Sequence, residues 1–317
     1  MMKNLLSILI VALCFGLLLG GCKKNIENTN LSEWVDEHDK DKKTFEGLER
    51  EGDKFSSQNN LEQAYLLYSK ALQLKPKNVD LRVKRGNILF RKKLMEKALA
   101  EYQAAEKKEP ARRDVNLGLG KVYFAVSDRN LAYQYLQKAQ TDGCGYWEAD
   151  ALLGIIHDLR GDPLKGEELF KKARECAPNN GDILNNLGTS YLLQGRYEDA
   201  VDSFLAAIKA GNTKKRVYNN LGLALVKTKH YQDAFEAFKM ASDEARAFNN
   251  IGHAYYLQQD YKKAIACFEK ALTLHPAYYP EAGENLKRAK AALFSKGADE
   301  GGPALWNEST QLLLSGN

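Results

Sequence analysis

Apolar side chains return along this chain at i, i+3, i+4 and i+7, as in Leu184, Leu187 and Tyr191 and again in Ala200, Phe204, Ala207 and Ile208. That spacing gathers them on one face of a helix. A longer beat runs over it. Gly52, Gly86, Gly120, Gly154, Gly188 and Gly222 stand 34 residues apart, and Gly252 follows after 30. Twelve residues beyond each glycine comes a small residue: Ala64, Ala98, Ala132, Gly166, Ala200, Ala234 and Ala264. Four further on stands a large one (Tyr68, Tyr102, Leu136, Phe170, Phe204, Phe238, Phe268), and three beyond it an alanine (Ala71, Ala105, Ala139, Ala173, Ala207, Ala241, Ala271). Pro76, Pro110, Pro178 and Pro276 close four of the units, with Cys144, Asn212 and Arg246 at that phase in the others. The pattern predicts about seven pairs of antiparallel helices. A pair this short cannot bury its own apolar face and must stack on its neighbours.

Each phase has a steric cause. Small residues let two helices approach closely, so the glycine of the first helix is expected to face the alanine of the second. The large residue then fills the space left between them. Proline ends the second helix because it lacks an N–H and clashes with the preceding turn. The short sixth unit loses about one helical turn, expected at the end of its second helix near 241–244. Residues 280–294 read as one more helix, apolar at Ala282, Leu286, Ala289 and Leu293 and charged opposite, which suits a solvating cap.

Glycine, alanine, ring, alanine and proline at these coupled phases resemble the tetratricopeptide repeat (TPR) family over residues 45–278. The resemblance implies an all-α fold, a right-handed α-α superhelix (TPR solenoid) of about seven helix-turn-helix repeats with a C-terminal capping helix at 279–295. It also implies binding of protein or peptide rather than catalysis.

Residues 1–21 read as a secretory signal: Lys3 supplies the positive start, and the apolar run that follows is too short for a permanent membrane span. Leu19-Gly20-Gly21-Cys22 resembles the lipobox of bacterial lipoproteins. That resemblance implies cleavage before Cys22, diacylglycerol and acyl attachment there, and stable anchoring through several acyl chains. Lys23 rather than Asp follows the cysteine, which points to the outer membrane, facing the periplasm, within the bacterial cell envelope. Residues 22–44 are polar and read as a tether. Residues 296–317, glycine-rich with Trp306 and Leu312–Leu314, read as a loose tail.

Composition adds mostly exclusions. The formal charge of +5 is mild, and lysines, arginines and acids are mixed along the helices, so nothing resembles a nucleic-acid reader. His38, His157, His230, His253 and His275 form no H-x-x-x-H pair, and no cysteines have zinc spacing. With no phosphate loop and no nucleophile–base constellation, no catalytic residue, metal or cofactor is assigned. Cys267 falls at a core phase. Cys144 and Cys176 fall at the ends of successive second helices, about 8–10 Å apart. That exceeds the ~7 Å Cα separation a disulfide tolerates, although an oxidising periplasm would permit the bond.

In TPR proteins the first helices line the binding face. Asn185-Asn186, Asn219-Asn220 and Asn249-Asn250 precede the glycine in units five to seven. A carboxamide offers two donors and two acceptors, enough to pair with the N–H and C=O of an extended peptide, and the repeated pairs resemble the asparagine ladder of other TPR proteins. The alternative is local bonding between helices that stiffens the stack. Arg216, Arg246, His253, Tyr256 and Thr189 are neighbouring candidates, the arginines favouring an acidic ligand. The lysine of the family's carboxylate clamp is replaced by Glu49, Val83, Leu117 and Ala151, so that clamp is not carried over. The stretch 217–252 further resembles the TadD-type lipoproteins of tight-adherence (Flp) pilus assembly, with type IV pilus pilotins the next resemblance. Both imply assembly or localisation of a secretin or other pilus or secretion subunits; a general periplasmic scaffold or regulator is the remaining expectation.

Overall fold

A computed structural model describes residues 44–274 and 279–299. The signal segment, Cys22, the tether before Thr44, Pro276 and the tail from 300 lie outside the described residues. Every regular element described is helical. The pairs are α1 (Phe45–Ser57) with α2 (Leu61–Leu74), α5 (Arg113–Ala125) with α6 (Arg129–Ala139), and α7 (Trp147–Leu159) with α8 (Pro163–Cys176), with α3 (Val79–Arg91) and α4 (Met95–Glu106) between the first two pairs in chain order. They continue with α9 (Gly181–Leu193) and α10 (Tyr197–Lys209), α11 (Lys215–Lys227) and α12 (Tyr231–Ala241), α13 (Glu244–Leu257) and α14 (Tyr261–Leu274), then a single α15 (Pro280–Asp299). These fifteen helices, among the described residues, are those of an all-α TPR fold with a C-terminal cap.

Contacts divide the chain into two compact units, one ending at Ile88 and the other beginning at Leu89. In the first, α1 and α2 close around Tyr68, whose ring lies against Gly52; its hydroxyl donates to Asp53 at 2.8 Å. Lys84 bonds Glu49 and Asp53 at 2.7 and 2.8 Å beside it.

In the second unit the same phases are buried pair after pair. Ala200, Phe204, Ala207, Ala264 and Ala271 are 0% exposed, and Phe238 and Phe268 1%. The nearest side chain to each glycine is the ring, and in repeat four the small residue expected opposite the glycine is there too, a Cβ on Gly166 standing 3.2 Å from Gly154 O. A Cβ on Gly154, Gly188, Gly222 or Gly252 would stand 2.6–2.7 Å from Cε1 of Phe170, Phe204, Phe238 or Phe268. The ring occupies the space where a side chain would otherwise be, and that is why a glycine at one phase accompanies a large residue at the other.

A feature with no sequence signature recurs in every turn between paired helices. Asn59, Lys93, Ser127, Gly161, Gly195, Lys229 and Gln259 all have φ between 59° and 80°. The next residue's N–H reaches back five residues, as Asp128 N to Tyr123 O at 2.9 Å and Arg196 N to Tyr191 O at 3.0 Å. This left-handed stop satisfies the orphan carbonyls of the first helix. The second helix then starts at once, with Asn60, Asp128, Asp162 and Asp260 accepting from the N–H three residues on.

Two sequence expectations need correction. Cys144 and Cys176 are joined, their Cα atoms 5.0 Å apart. The spacing between successive helices does not apply to Cys144, because α6 ends at Ala139 and Cys144 opens a short 3₁₀ turn that brings it to the last residue of α8. The capping helix also runs to Asp299, past the expected end at 295. Lys296 and Ala298 are good helix formers, and a single glycine at 297 costs only about 1 kcal/mol. The deficit of the sixth unit falls where expected: α12 stops at Ala241, and Asp243 caps α13 by accepting from Arg246 N at 2.8 Å.

Repeat four departs from the alanine phase at Gly166 because Asp158 occupies the space; a Cβ there would lie 2.0 Å from the Asp158 carboxylate. Ser190 Oγ lies 3.0 Å from that carboxylate and 2.8 Å from Pro163 O. Burial, with Asp162 nearby adding to it, pushes Asp158 up to about 6 against the Ser190 bond. The folded value exceeds the ordinary 3.8, so Asp158 favours the fold fully below pH 4 and that contribution is lost as pH rises through 6. Asp158→Asn is therefore expected to gain about 1 kcal/mol over wild type above pH 6, after allowance for solvent screening. The gain should vanish near pH 4. Paired urea titrations across that range test it; a flat difference would show that Asp158 does not titrate as placed.

Glu167, one turn along α8, behaves oppositely. Burial raises it, but bonds from Lys171, Gln194 and Arg196 outweigh that and hold it down to about 2. Arg196 Nη1 reaches it at 2.9 Å and Gln194 Nε2 at 2.9 Å, tying repeat five to repeat four.

Candidate functional site

The first helices of repeats six and seven and the cap α15 enclose a groove of about 1070 Å³. Asn219, Asn249, Asn250 and His253 face it, over an apolar lining that includes Leu192, Leu223 and Leu257. Lys227, Lys229 and Arg288 supply positive charge, and Glu281 is the carboxylate among the lining residues. A smaller cavity of about 290 Å³ adjoins it, sharing Asn219, Asn249, Asn250 and Glu281 and adding Lys215, Arg216 and Arg246.

The six asparagines divide into two sets. Asn185 is 1% exposed; its Nδ2 donates to Asn186 Oδ1 at 3.2 Å and its Oδ1 accepts from Asn220 Nδ2 at 3.3 Å. Asn220 also reaches Thr189 Oγ1 at 3.4 Å. These residues join α9 to α11, and Asn185 is closed to any ligand because the two helices cover it. Asn249, 3% exposed, accepts from Asn285 Nδ2 of the cap at 2.9 Å, and Arg288 donates to Asn285 Oδ1. Asn219 and Asn250, by contrast, make no side-chain hydrogen bond to any described residue, and both face the groove and the adjoining cavity.

Among the other candidates, Arg216 is exposed at the smaller cavity, and Arg246 is there too, held by Asp243 Oδ2 at 2.7 Å. His253 is exposed on the groove wall. Tyr256 does not line the groove: it packs on the Tyr261 ring at 5.6 Å and against the Phe268–Ala289 cluster, because α15 covers that phase of α13. The cap residues Glu281, Asn285 and Arg288 were missed. Their helix is legible in the sequence, but its polar residues were read as solvated, and nothing in the spacing shows that Asn285 turns inward to 6% exposure.

Three stretches match family models of this repeat: residues 52–93 one described as TPR repeat, and residues 169–202 and 245–278 ones described as tetratricopeptide repeat. The chain is 30% identical over 129 residues to the type IV pilus assembly protein PilF of Pseudomonas aeruginosa, covering 40% of this chain and 51% of that one. It is 26% identical over 190 residues to the BBSome complex member BBS4 of Bos taurus, covering 59% and 36%. It thus spans about half the length of the first relative and about a third of the second. The crystal structure of the APC/C hetero-tetramer Cut9–Hcn1 superposes with a TM-score of 0.55 at 20% identity, over 77% of this chain and 48% of that one. The chain carries tetratricopeptide repeats, a protein-interaction scaffold.

Proposed function

We propose that the chain is a non-enzymatic scaffold that grips an extended, acidic peptide segment of a partner protein in the groove of repeats six and seven. The observation that carries this is the pair Asn219 and Asn250: two carboxamides without a side-chain hydrogen-bond partner among the described residues, on successive first helices, facing one groove with cations at its edge. Their donors and acceptors suit a peptide backbone, and Arg216, Lys227 and Arg288 suit carboxylates beside it.

The same reading places the chain in the bacterial cell envelope, anchored through lipid on Cys22 at the outer membrane, where it aids assembly or localisation of a pilus or secretion apparatus. The Cys144–Cys176 bond supports an oxidising compartment. The likeness to a type IV pilus assembly protein supports a pilus role and favours the type IV machinery over the Flp one. A secretin is the partner proposed.

Asn219→Ala with Asn250→Ala is expected to leave stability within about 0.5 kcal/mol and to weaken the partner by about 0.5–1.5 kcal/mol per bond lost. Asn185→Ala should do the reverse. The partner is identified by crosslinking from Arg216 and Lys227 in membranes, alongside secretin multimer levels in a deletion strain. Normal multimers in that strain would end the pilus reading, and unlabelled protein after palmitate feeding would end the anchor.

A further inference from the structure

A second groove, about 670 Å³, lies on the side of the second helices, between α10 and α12. Its floor is Leu221 and Leu225 of α11. Leu205 of α10 and Met240 of α12 stand on its walls, 50% and 63% exposed. Four carboxylates edge it, Glu198 and Asp202 from α10 and Asp233 and Glu236 from α12. None of the four makes a hydrogen bond or ion pair to any described residue, whereas their neighbour Asp199 is paired with Arg196.

The geometry points to a docking site for an amphipathic helix of a partner protein, apolar on one face and flanked by lysine or arginine. Apart from the first-turn amides at the two helix starts, the lining offers side chains rather than a row of backbone donors and acceptors, because the helix interiors spend theirs internally; an extended strand would find no edge to pair with. An apolar stripe at i, i+3 or i+4, i+7 fills such a furrow. The rim decides the sign. Four uncompensated carboxylates repel one another and any acidic ligand, and attract a cationic one. They equally disfavour an anionic membrane surface. The charge is also graded along the groove: Glu198 and Asp233 lie in the first turns of their helices and Asp202 and Glu236 midway along them, with Leu205, Ile208 and Met240 toward the ends. The docked helix therefore carries its basic residues toward one end, over the first halves of α10 and α12. This face is distinct from the asparagine groove, so the two can fail separately.

The test uses the full chain and two labelled synthetic peptides with the same leucine face, one flanked by lysine and one by glutamate, followed by fluorescence anisotropy. The lysine peptide should bind saturably and the glutamate peptide about tenfold or more weaker. Reversing the rim (Glu198→Lys, Asp202→Lys, Asp233→Lys, Glu236→Lys) should invert that preference, and Leu205→Ser with Met240→Ser should abolish both. Asn219→Ala with Asn250→Ala should change neither. Circular dichroism establishes that each variant is folded. Absent binding, equal affinity for the two peptides, or indifference to rim reversal would overturn the proposal. So would a dimer in light scattering that Leu205→Ser with Met240→Ser dissolves, since a second copy would then be the occupant.

Discussion

Gly188→Leu lowers the unfolding free energy by about 1–3 kcal/mol, and Phe204→Ala lowers it by about 3–5 kcal/mol. Even a Cβ at 188 would sit 2.7 Å from Cε1 of Phe204. That ring is 0% exposed and is held between Ala200 and Ala207, themselves 0% exposed, so it has no room to retreat. The alanine variant leaves a ring-sized hole in a stack whose neighbours on both sides depend on the same layer. Because the two residues share one space, their effects should not add. In Gly188→Leu/Phe204→Ala the new side chain enters the space the ring vacates, and the double variant should lose less than the sum of the singles by about 0.5–3 kcal/mol. Urea unfolding followed by circular dichroism measures all three. Strict additivity would mean that Gly188 and Phe204 are small and large for unrelated reasons.

That coupling explains why the fold was legible. A 34-residue beat of glycine, ring and alanine is a record of close approach between helices, and close approach leaves few residue types free to vary. The left-handed turn before each second helix was invisible for the opposite reason. The conformation is enforced by the helix ends, and Asn59, Lys93, Ser127, Lys229 and Gln259 accept it at a cost of about 1–2 kcal/mol each. A position that many residues can fill leaves no pattern to find.

The candidate site was half legible. Three asparagine pairs at one phase marked helices that line the groove, because a carboxamide beside the packed glycine must either pair across the stack or face the open side. Which of the two it does depends on the helix that covers it. Asn220 finds Asn185 and Thr189, Asn249 finds Asn285 of the cap, and Asn219 and Asn250 find nothing among the described residues. Those partners lie some 30 or more residues away, and a repeat pattern carries no information on rotamers. The outer groove escaped notice because its apolar residues, Leu205 and Met240, sit at phases that a single unit leaves exposed; only the stacking of repeats five and six turns them into walls.

Reduction of the Cys144–Cys176 bond lowers stability by about 2–4 kcal/mol. The sulfurs are joined across 32 residues of sequence, a loop that holds α7 and α8 entire, so the bond restrains one whole repeat in the unfolded chain. Native ties remain after reduction: Gln140 Nε2 to Asp150 at 2.7 Å, and Lys172 Nζ to Thr141 O at 2.9 Å, both fixing the same linker. The reduced chain should therefore stay folded, with repeat four the first to open. Cys144→Ala/Cys176→Ala should match reduced wild type and no longer respond to dithiothreitol. Each single variant should match it as well, because reduced wild type already carries both thiols unpaired and Cys144 is exposed. Peptide mapping without reductant places the bond directly, and a thiol at Cys144 that alkylates freely would remove it. An intact bond in cells would also constrain where the protein works, since a reducing cytosol would not keep it closed. A protein recovered oxidised only after export, and reduced when its first 21 residues are deleted, would tie the covalent link in repeat four to the signal read at the start of the chain.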